Sequence, residues 1–339
     1  GVGVRAVSSV NQGLALQVRG DIDKIDIKGG TLMGDVEILT ADMLDPGRPG
    51  GPGGNLGQVK VKADGALISG DFDINSGSPS GNVGKLDFEG DYEGFIFVEG
   101  DLDKFQIKDG DYLADSIFEV LGDFGKMQIK GSDFLGWGFV DGDFDKLQID
   151  GVFGEEDADG FDDAYLVVNG NMGKLDIKNK DDAAVGFSEE SFLGVAMNLD
   201  KFQMAGDFAG EFYVVQDLDK FQIKDGDFLD TAILGVDGDL GKFQVKGSDV
   251  FGEVSVLGDA DDIKIDGVFG GDLTVRGNLG KFDVKNKGGA VTSVTGAANI
   301  LVEGDVDQIK GDGNFAADLD IFGSLDKLQI KSDFDGEAE

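Results

Sequence analysis

Apolar and polar residues alternate in short runs along the whole chain, and one nine-residue phrase, G-[D/N]-h-[D/G]-K-h-x-h-K with h apolar, organises these runs. Its fourteen copies begin at residues 20, 54, 81, 100, 122, 142, 170, 197, 216, 238, 258, 277, 304 and 323. In Phe105-Gln106-Ile107-Lys108 the alternation sends the first and third side chains to one face of a strand and the other two to the opposite face. The surrounding glycine and aspartate positions are typical of tight turns. Each copy therefore predicts a short strand with one buried face.

The sixth and eighth positions of the phrase are apolar, and the seventh position between them is polar. This pattern predicts that Phe221 and Ile223 are buried and that Gln222 is exposed between them. Glutamine occupies the seventh position in seven copies, at Gln106, Gln128, Gln148, Gln203, Gln222, Gln244 and Gln329. Amide side chains one strand apart can hydrogen-bond to each other, so stacked copies predict a glutamine ladder.

Between consecutive copies lies a second β-like run, such as SIFEV from Ser116 or EVSVL from Glu253, often with a third apolar pair such as Phe134-Leu135. Two or three short strands in 19–28 residues cannot bury an apolar face alone, but they can when each coil stacks on the next. No segment holds the 3.6-residue period of a helix. The expected fold is all-β: a single parallel β-helix, or β-solenoid, of about fifteen coils.

A longer period is superimposed on these coils. The distances between the starts of successive copies follow a repeating series. From the step Gly54 to Gly81 onward they are 27, 19, 22, 20 and 28 residues, and from the step Gly170 to Met197 onward they are 27, 19, 22, 20 and 19 residues. Residues 100–154 match residues 216–270 at 34 of 55 positions. We therefore expect one continuous solenoid over 1–339 with a five-coil superrepeat. Its parts are a partial block 1–80, blocks 81–196 and 197–303, and a partial block 304–339.

The two ends of the sequence interrupt the five-coil order at phases that would continue across a junction between two copies. The last copy, at Gly323, keeps the phrase, and an unpaired edge strand is a template for pairing. We expect copies of the chain to join head to tail through residues 1–19 and 332–339. Two alternatives stay open: residues 1–19 lack the phrase, as a capping repeat would, and the sequence can also be a piece of a longer repeat protein.

Charge and composition narrow the function classes. The net charge is −38, from 67 acidic and 29 basic residues, and such a field repels nucleic acid and anionic lipid while attracting cations. The chain has no cysteine and no histidine, and no apolar run approaches the ~18–20 residues of a membrane span, so we expect no membrane insertion. The aromatic residues are 26 Phe with only 4 Tyr and 1 Trp, which favours a packed core over a sugar-binding face.

The phrase GNLGKFDVK at Gly277, together with the coil length, resembles secreted bacterial β-solenoid proteins, including adhesin shafts and other parallel β-helices. The resemblance covers the whole chain and is architectural. It implies a right-handed solenoid with a structural role, located outside the cell or at the cell surface. The G-G-x-G-x-D pattern of calcium-binding nonapeptide repeats is absent.

Aspartates at the second position of the phrase are the first candidate site. They are Asp101, Asp123 and Asp143 in one run and Asp217, Asp239 and Asp259 in another. Stacking places these carboxylates about 4.8 Å apart, where they repel, and a hard cation such as Ca²⁺ would relieve the repulsion. Alternatively, each aspartate accepts a backbone N–H in its own turn, a role that asparagine fills in five of the fourteen copies.

The segment from Glu155 to Asp163 is a second calcium candidate, with Asp157, Asp159 and Asp163 as ligands. Its D-x-D-G sequence resembles a calcium loop, but the twelfth position, where an EF-hand has glutamate, is Leu166. The alternative is an exposed acidic insertion, since the duplicated block lacks it. Residues 46–54, PGRPGGPGG, predict an extruded loop.

No catalytic site is expected. Arginine occurs only at Arg5, Arg19, Arg48 and Arg276, lysines recur uniformly, and no pair of acids stands out from the rest. The sequence predicts a structural subunit of an extracellular filament or matrix, with no required cofactor and calcium as the candidate ion. The alternatives are a shaft or ligand-binding segment of an adhesin and, third, a polysaccharide-active enzyme on a β-helix.

Overall fold

The computed structural model describes residues 2–6, 16–19, 22–28, 36–39, 55–62, 67–75, 81–154, 163–179, 185–285 and 292–332. The chain divides into two compact units, Gly1–Asn171 (unit 1) and Met172–Glu339 (unit 2). Within the described residues every ordered element is a β-strand, every ladder is parallel, and there is no helix. Each unit is therefore a parallel β-solenoid, as the alternation predicts.

The strands of unit 1 are short and recur once per coil on each side. They are β1 Val2–Ala6, β2 Leu16–Arg19, β3 Ile22–Lys28, β4 Val36–Leu39, β5 Leu56–Lys62, β6 Ile68–Ser69, β7 Phe72–Asn75, β8 Val83–Glu89, β9 Tyr92–Glu93, β10 Phe95–Val98, β11 Leu102–Lys108, β12 Ile117–Val120, β13 Phe124–Lys130, β14 Trp137–Val140, β15 Phe144–Ile149 and β16 Tyr165–Val168.

Unit 2 repeats the same organisation. Its strands are β17 Met172–Ile177, β18 Val185–Phe187, β19 Phe192–Val195, β20 Leu199–Ala205, β21 Asp207–Phe208, β22 Glu211–Val214, β23 Leu218–Lys224, β24 Ile233–Val236, β25 Leu240–Lys246, β26 Glu253–Val256, β27 Ala260–Ile265, β28 Asp272–Val275, β29 Leu279–Val284, β30 Thr292–Val294, β31 Asn299–Val302, β32 Val306–Gly311, β33 Asn314–Phe315, β34 Asp318–Ile321 and β35 Leu328–Ile330.

Strands that contain the nine-residue phrase form the first sheet of each unit. Its order is β1-β3-β5-β8-β11-β13-β15 in unit 1 and β17-β20-β23-β25-β27-β29-β32-β35 in unit 2. The intervening runs form the second sheet, β2-β4-β7-β10-β12-β14-β16 in unit 1 and β19-β22-β24-β26-β28-β31-β34 in unit 2. Seven and eight first-sheet strands in the described residues confirm about fifteen coils, whereas continuity over 1–339 and a right-handed sense stay predictions.

Register places equal phrase positions on top of each other, and we call each such set a column. Phe105 pairs with Met127, Gln106 with Gln128, and Lys108 with Lys130. The third side of the coil is held by the short ladders β6-β9, β18-β21 and β30-β33 and by single bridges at aromatic or branched residues. These bridges join Tyr92, Tyr112, Phe134 and Phe153 in unit 1 and Phe208, Phe228, Val250 and Phe269 in unit 2.

The core consists of apolar columns from all three sides. Phe221 and Ile223 are fully buried, as predicted, and the Phe221 ring stacks on Phe202 and Phe243 at centroid distances of 4.6 and 5.3 Å. Stacked rings one strand apart combine area burial with favourable ring contacts. The abundance of phenylalanine therefore reflects a column that continues from coil to coil.

The predicted exposure of Gln222 is wrong, because only 2% of this residue is exposed. Gln106 and Gln128 are buried as well. All three lie on the outer face of the first sheet, between lysine columns at the fifth and ninth positions. Long lysine stems cover neighbouring surface while keeping their ammonium groups in water, so alternation predicted the correct face but the wrong exposure.

The residue that follows the phrase turns the chain out of the first sheet. Asp109 and Asp225 have φ values of 51° and 55°, and the equivalent Gly131 and Gly247 have 70° and 77°. This left-handed backbone region favours glycine and tolerates aspartate and asparagine. At these corners the backbone therefore selects glycine or a turn-forming residue directly after the phrase.

Candidate functional site

The second phrase position forms an aspartate ladder at one corner of unit 1. The Asp123 backbone N–H donates to Asp101 Oδ1 at 3.0 Å, and the Asp143 N–H donates to Asp123 Oδ1 at 2.9 Å. Asn171 continues the ladder, because its N–H donates to Asp143 Oδ1 at 2.7 Å. Each carboxylate thus accepts a hydrogen bond from the next coil and not from its own turn.

Unit 2 has the same ladder. The Asp239 N–H donates to Asp217 Oδ1 at 2.9 Å, the Asp259 N–H donates to Asp239 Oδ1 at 2.8 Å, and the Asn278 N–H donates to Asp259 Oδ1 at 2.7 Å. Asparagine accepts in the same way, since the Asp217 N–H donates to Asn198 Oδ1. The ladder therefore requires a side-chain oxygen at the second phrase position, but the hydrogen bond does not require that this oxygen carry a negative charge.

Three of the predicted calcium ligands come together in each unit, one strand apart and exposed to solvent. In the ranges that the structure covers, no group of three or more acidic residues is close enough to hold one metal ion. Each of these carboxylates keeps a second oxygen that makes no hydrogen bond to a described residue. The columns thus offer pairs of oxygens from successive coils, and calcium binding stays a prediction.

The other predicted ligands lie mostly outside the described residues. Asp157 and Asp159 belong to this group, as does the predicted loop 46–54. Asp163 is described, half-buried, just before β16. The structure therefore does not bring the acidic segment and the aspartate columns into one described site.

A second aspartate ladder, which the sequence analysis missed, lies on the third side of each coil. In unit 1 the Asp133 N–H donates to Asp111 Oδ1 at 2.9 Å, and in unit 2 the Asp249 N–H donates to Asp227 Oδ1 at 2.8 Å. Each of these aspartates directly precedes a bridge residue such as Tyr112 or Phe228. A glycine or serine followed by aspartate and an aromatic residue was the available signal.

The outer face of the first sheet carries lysines, and aspartates neutralise some of them, among which Asp87 and Asp283 each contact more than one lysine. Asp87 lies 2.7 Å from both Lys85 Nζ and Lys108 Nζ. Asp283, only 1% exposed at its side chain, lies 3.1 Å from Lys281 Nζ and 3.3 Å from Lys285 Nζ. Burial alone raises the pKa of each carboxyl, but the lysine contacts outweigh burial and hold each pKa below its usual value.

Away from these aspartates the lysines repel one another. Burial, followed by repulsion from Lys85 and Lys126, lowers the pKa of Lys104. Burial, followed by repulsion from Lys201 and Lys242, lowers the pKa of Lys220. The same phrase position is thus electrostatically unfavourable in both units.

The outer face of the second sheet differs between the units. In unit 1 one column reads Phe95, Ile117, Trp137 and Tyr165, and Trp137 is 48% exposed. In unit 2 Tyr213 is 38% exposed beside a shallow notch of about 210 Å³ lined by Ile233, Gly235, Glu253 and Ser255. The only tryptophan and two of the four tyrosines therefore face outward, which composition alone did not indicate.

Comparisons with protein-family models, with curated proteins and with solved structures gave no match for this chain. The described residues include no helix long and apolar enough to cross a membrane. Function therefore has to be argued from the geometry of the solenoid itself.

Proposed function

We propose that the chain is a structural, non-catalytic subunit of an extracellular or cell-surface β-solenoid filament or matrix, and that copies join head to tail. The supporting observation is the coil at 323–331. Leu325 and Leu328 are 36% and 43% exposed there, whereas Val306 and Ile309, which occupy the same columns one coil earlier, are buried. Among the described residues no strand pairs with the outer edge of this coil, and a further coil would cover both that edge and the exposed leucines.

In this proposal the further coil comes from a second copy, with residues 332–339 of one molecule against 1–19 of the next. Residues 7–15 and 333–339 lie outside the described residues, so the argument rests on the β35 edge and its apolar columns. Such a junction is heterologous, and without a closing rotation it propagates into a filament.

The junction is tested by placing a charge on the uncovered coil. Leu328→Asp should reduce end-to-end association of the full chain, as measured by analytical ultracentrifugation and negative-stain microscopy. Leu257→Asp is a matched control, because Leu257 is also 43% exposed but lies in the middle of unit 2. Wild-type protein that remains monomeric at high concentration, or equal loss in both variants, contradicts the head-to-tail proposal.

We also propose that the protein requires no cofactor and that Ca²⁺ binds between successive aspartates of the columns. Binding to the folded state raises stability, so millimolar Ca²⁺ should raise the melting temperature at matched ionic strength. The triple variant with Asp101, Asp123 and Asp143 changed to asparagine keeps the hydrogen-bond acceptors and should lose part of this shift. Identical melting curves with Ca²⁺ and with chelator contradict calcium binding.

A ligand-binding segment of an adhesin is the second candidate, supported by the outward aromatic column of unit 1. Exposed tryptophan and tyrosine rings offer flat apolar surface with a polar edge. Trp137 is the only tryptophan, so its fluorescence reports directly on this face. Oligosaccharides that shift its emission in wild type but not in Tyr165→Ala would favour this candidate over a purely structural role.

A further inference from the structure

Three consecutive first-sheet strands in each unit bring lysines side by side around a column of buried or half-buried glutamines. We call these the lysine–glutamine patches. The patch of unit 1 contains Lys104, Lys108, Lys126, Lys130 and Lys146 with Gln106, Gln128 and Gln148. The patch of unit 2 contains Lys201, Lys220, Lys224, Lys242 and Lys246 with Gln203, Gln222 and Gln244.

In the part of the chain that the structure describes, seven of the ten patch lysines lack the neutralising groups that the same face has elsewhere, whereas Lys108 pairs with Asp87 and Lys242 Nζ lies 3.5 Å from Asp262. Among the described residues, Lys104, Lys126 and Lys130 make no ion pair, and neither do Lys201, Lys220, Lys224 and Lys246. The buried Nε2 of Gln222 has no hydrogen-bond acceptor in the described structure. At Asp87 and Asp283, by contrast, the seventh position itself supplies the carboxylate. These seven lysines therefore present unpaired cations, which are the complement of a row of carboxylates.

We propose that each patch binds the exposed aspartate column of a second copy of this chain, side by side with it. The columns Asp101, Asp123, Asp143 and Asp217, Asp239, Asp259 each extend over three consecutive coils, as the patches do. Both rows repeat at the strand spacing of about 4.8 Å, so one row can meet the other charge for charge. This lateral contact goes beyond head-to-tail joining, because it links solenoids sideways and uses different residues.

The distribution of charge makes a second copy a suitable partner. Of the 25 lysines (29 basic residues less four arginines), 23 stand at the fifth, seventh or ninth phrase position, against nine acids at those positions. The chain as a whole carries −38, so most of its acids lie elsewhere, including the aspartate columns. Screening at physiological salt confines this repulsion to about 8 Å, and close contacts between opposite charges then decide the outcome. Lateral association should be strongest at intermediate ionic strength, because low salt leaves the net repulsion and high salt weakens the pairs.

Two conservative variants test the contact from its two sides. Gln128→Glu with Gln222→Glu supplies an internal carboxylate at the seventh position, as Asp87 does, and should weaken lateral association roughly tenfold or more. Changing Asp101, Asp123, Asp143, Asp217, Asp239 and Asp259 to asparagine keeps every ladder acceptor, removes the charge and should have the same effect. Glu211→Gln with Glu253→Gln and Asp272→Asn, on the second sheet of unit 2, is the control and should associate as wild type.

Mixing gives the decisive result. The glutamate variant keeps its aspartate columns and the asparagine variant keeps its patches, so each should be monomeric alone and the mixture should form a 1:1 complex in sedimentation velocity. All samples carry Leu328→Asp, which separates the lateral contact from end-to-end joining. A mixture that stays monomeric overturns the proposal. So does wild-type protein that binds polygalacturonate through the patches without associating with itself.

Discussion

Residues 100–154 of unit 1 and 216–270 of unit 2 are two versions of one block, and they differ both in the core and on the surface. The positions of the buried columns, the aspartate ladders and the left-handed corners at Asp109 and Asp225 are the same in both, although the buried residues themselves differ, as Phe144 and Ala260 do. On the outer face of the second sheet, however, Trp137 and Phe139 in unit 1 correspond to Glu253 and Ser255 in unit 2. Stacking therefore keeps these interior columns apolar without fixing the size of the side chain, whereas the second-sheet surface exchanges aromatic for polar residues.

The corners of the coils and the outer surface of the second sheet also differ in how closely successive coils approach each other. A Cβ added at Gly122 would lie 2.6 Å from the Gly100 carbonyl oxygen, and one at Gly238 would lie 2.6 Å from the Gln216 carbonyl oxygen. At these two glycines the corners of successive coils approach so closely that a Cβ would clash, although Met197 and Gln216 occupy the same phrase position in two other coils of unit 2. On the outer surface of the second sheet a Cβ added at Gly235 would meet the side chain of Tyr213 and not a backbone atom, so the constraint there is weaker.

The largest expected effect is on the shared core. Phe105→Ala and Phe221→Ala each remove a fully buried ring from the same column, and each should lower the free energy of unfolding by about 3–5 kcal/mol. Urea unfolding followed by circular dichroism measures both, and Trp137 fluorescence reports unit 1 specifically. Trp137→Ala should cost far less. A loss below 1 kcal/mol in only one of the two phenylalanine variants would show that the blocks are not equivalent in their packing.

The second effect concerns the two neutralising aspartates. Asp87→Asn and Asp283→Asn remove carboxylates that are paired with lysines, and each should cost about 1–3 kcal/mol at neutral pH. Because the folded pKa of each carboxyl lies below its unfolded value, this stability is present above about pH 4 and is lost as pH falls through the folded pKa. Acid unfolding of wild type and both variants tests this, and the differences should disappear at low pH.

The strands, columns and core could be predicted from sequence because the phrase encodes them directly. Phe221 and Ile223 follow from alternation alone, whereas the burial of Gln222 depends on lysine stems from adjacent coils, which a single strand does not reveal. The aspartate positions were predicted, but the donor was not, since it belongs to a residue 19–28 positions away. The outward aromatic column of unit 1 was missed because composition cannot separate exposed rings from buried ones.

A smaller effect is expected at the aspartate ladder. Asp123→Ala and Asp239→Ala each leave the N–H of the next coil without its acceptor and should cost about 1 kcal/mol, limited by access to water. Asp123→Asn and Asp239→Asn keep the acceptor and should differ from wild type by only a few tenths of a kcal/mol. Thermal melting without Ca²⁺ gives the comparison. Equal destabilisation by alanine and asparagine would mean that charge, and not hydrogen bonding, holds this corner.

The smallest expected effect has the opposite sign. Lys104→Gln and Lys220→Gln each remove a cation that neighbouring lysines repel, so each should stabilise its unit by about 0.2–1 kcal/mol at neutral pH. The folded pKa of each lysine lies below its unfolded value, so wild-type stability should rise as pH increases from the folded to the unfolded pKa. Both glutamine variants should lack that rise. Monomeric protein carrying Leu328→Asp at low concentration is the sample to use, because a partner's carboxylates would mask the repulsion. Destabilisation by either substitution under these conditions would mean that packing of the lysine stem over the glutamine column contributes more to stability than the repulsion between charges costs. Destabilisation in only one unit would mean that this balance differs between the two patches.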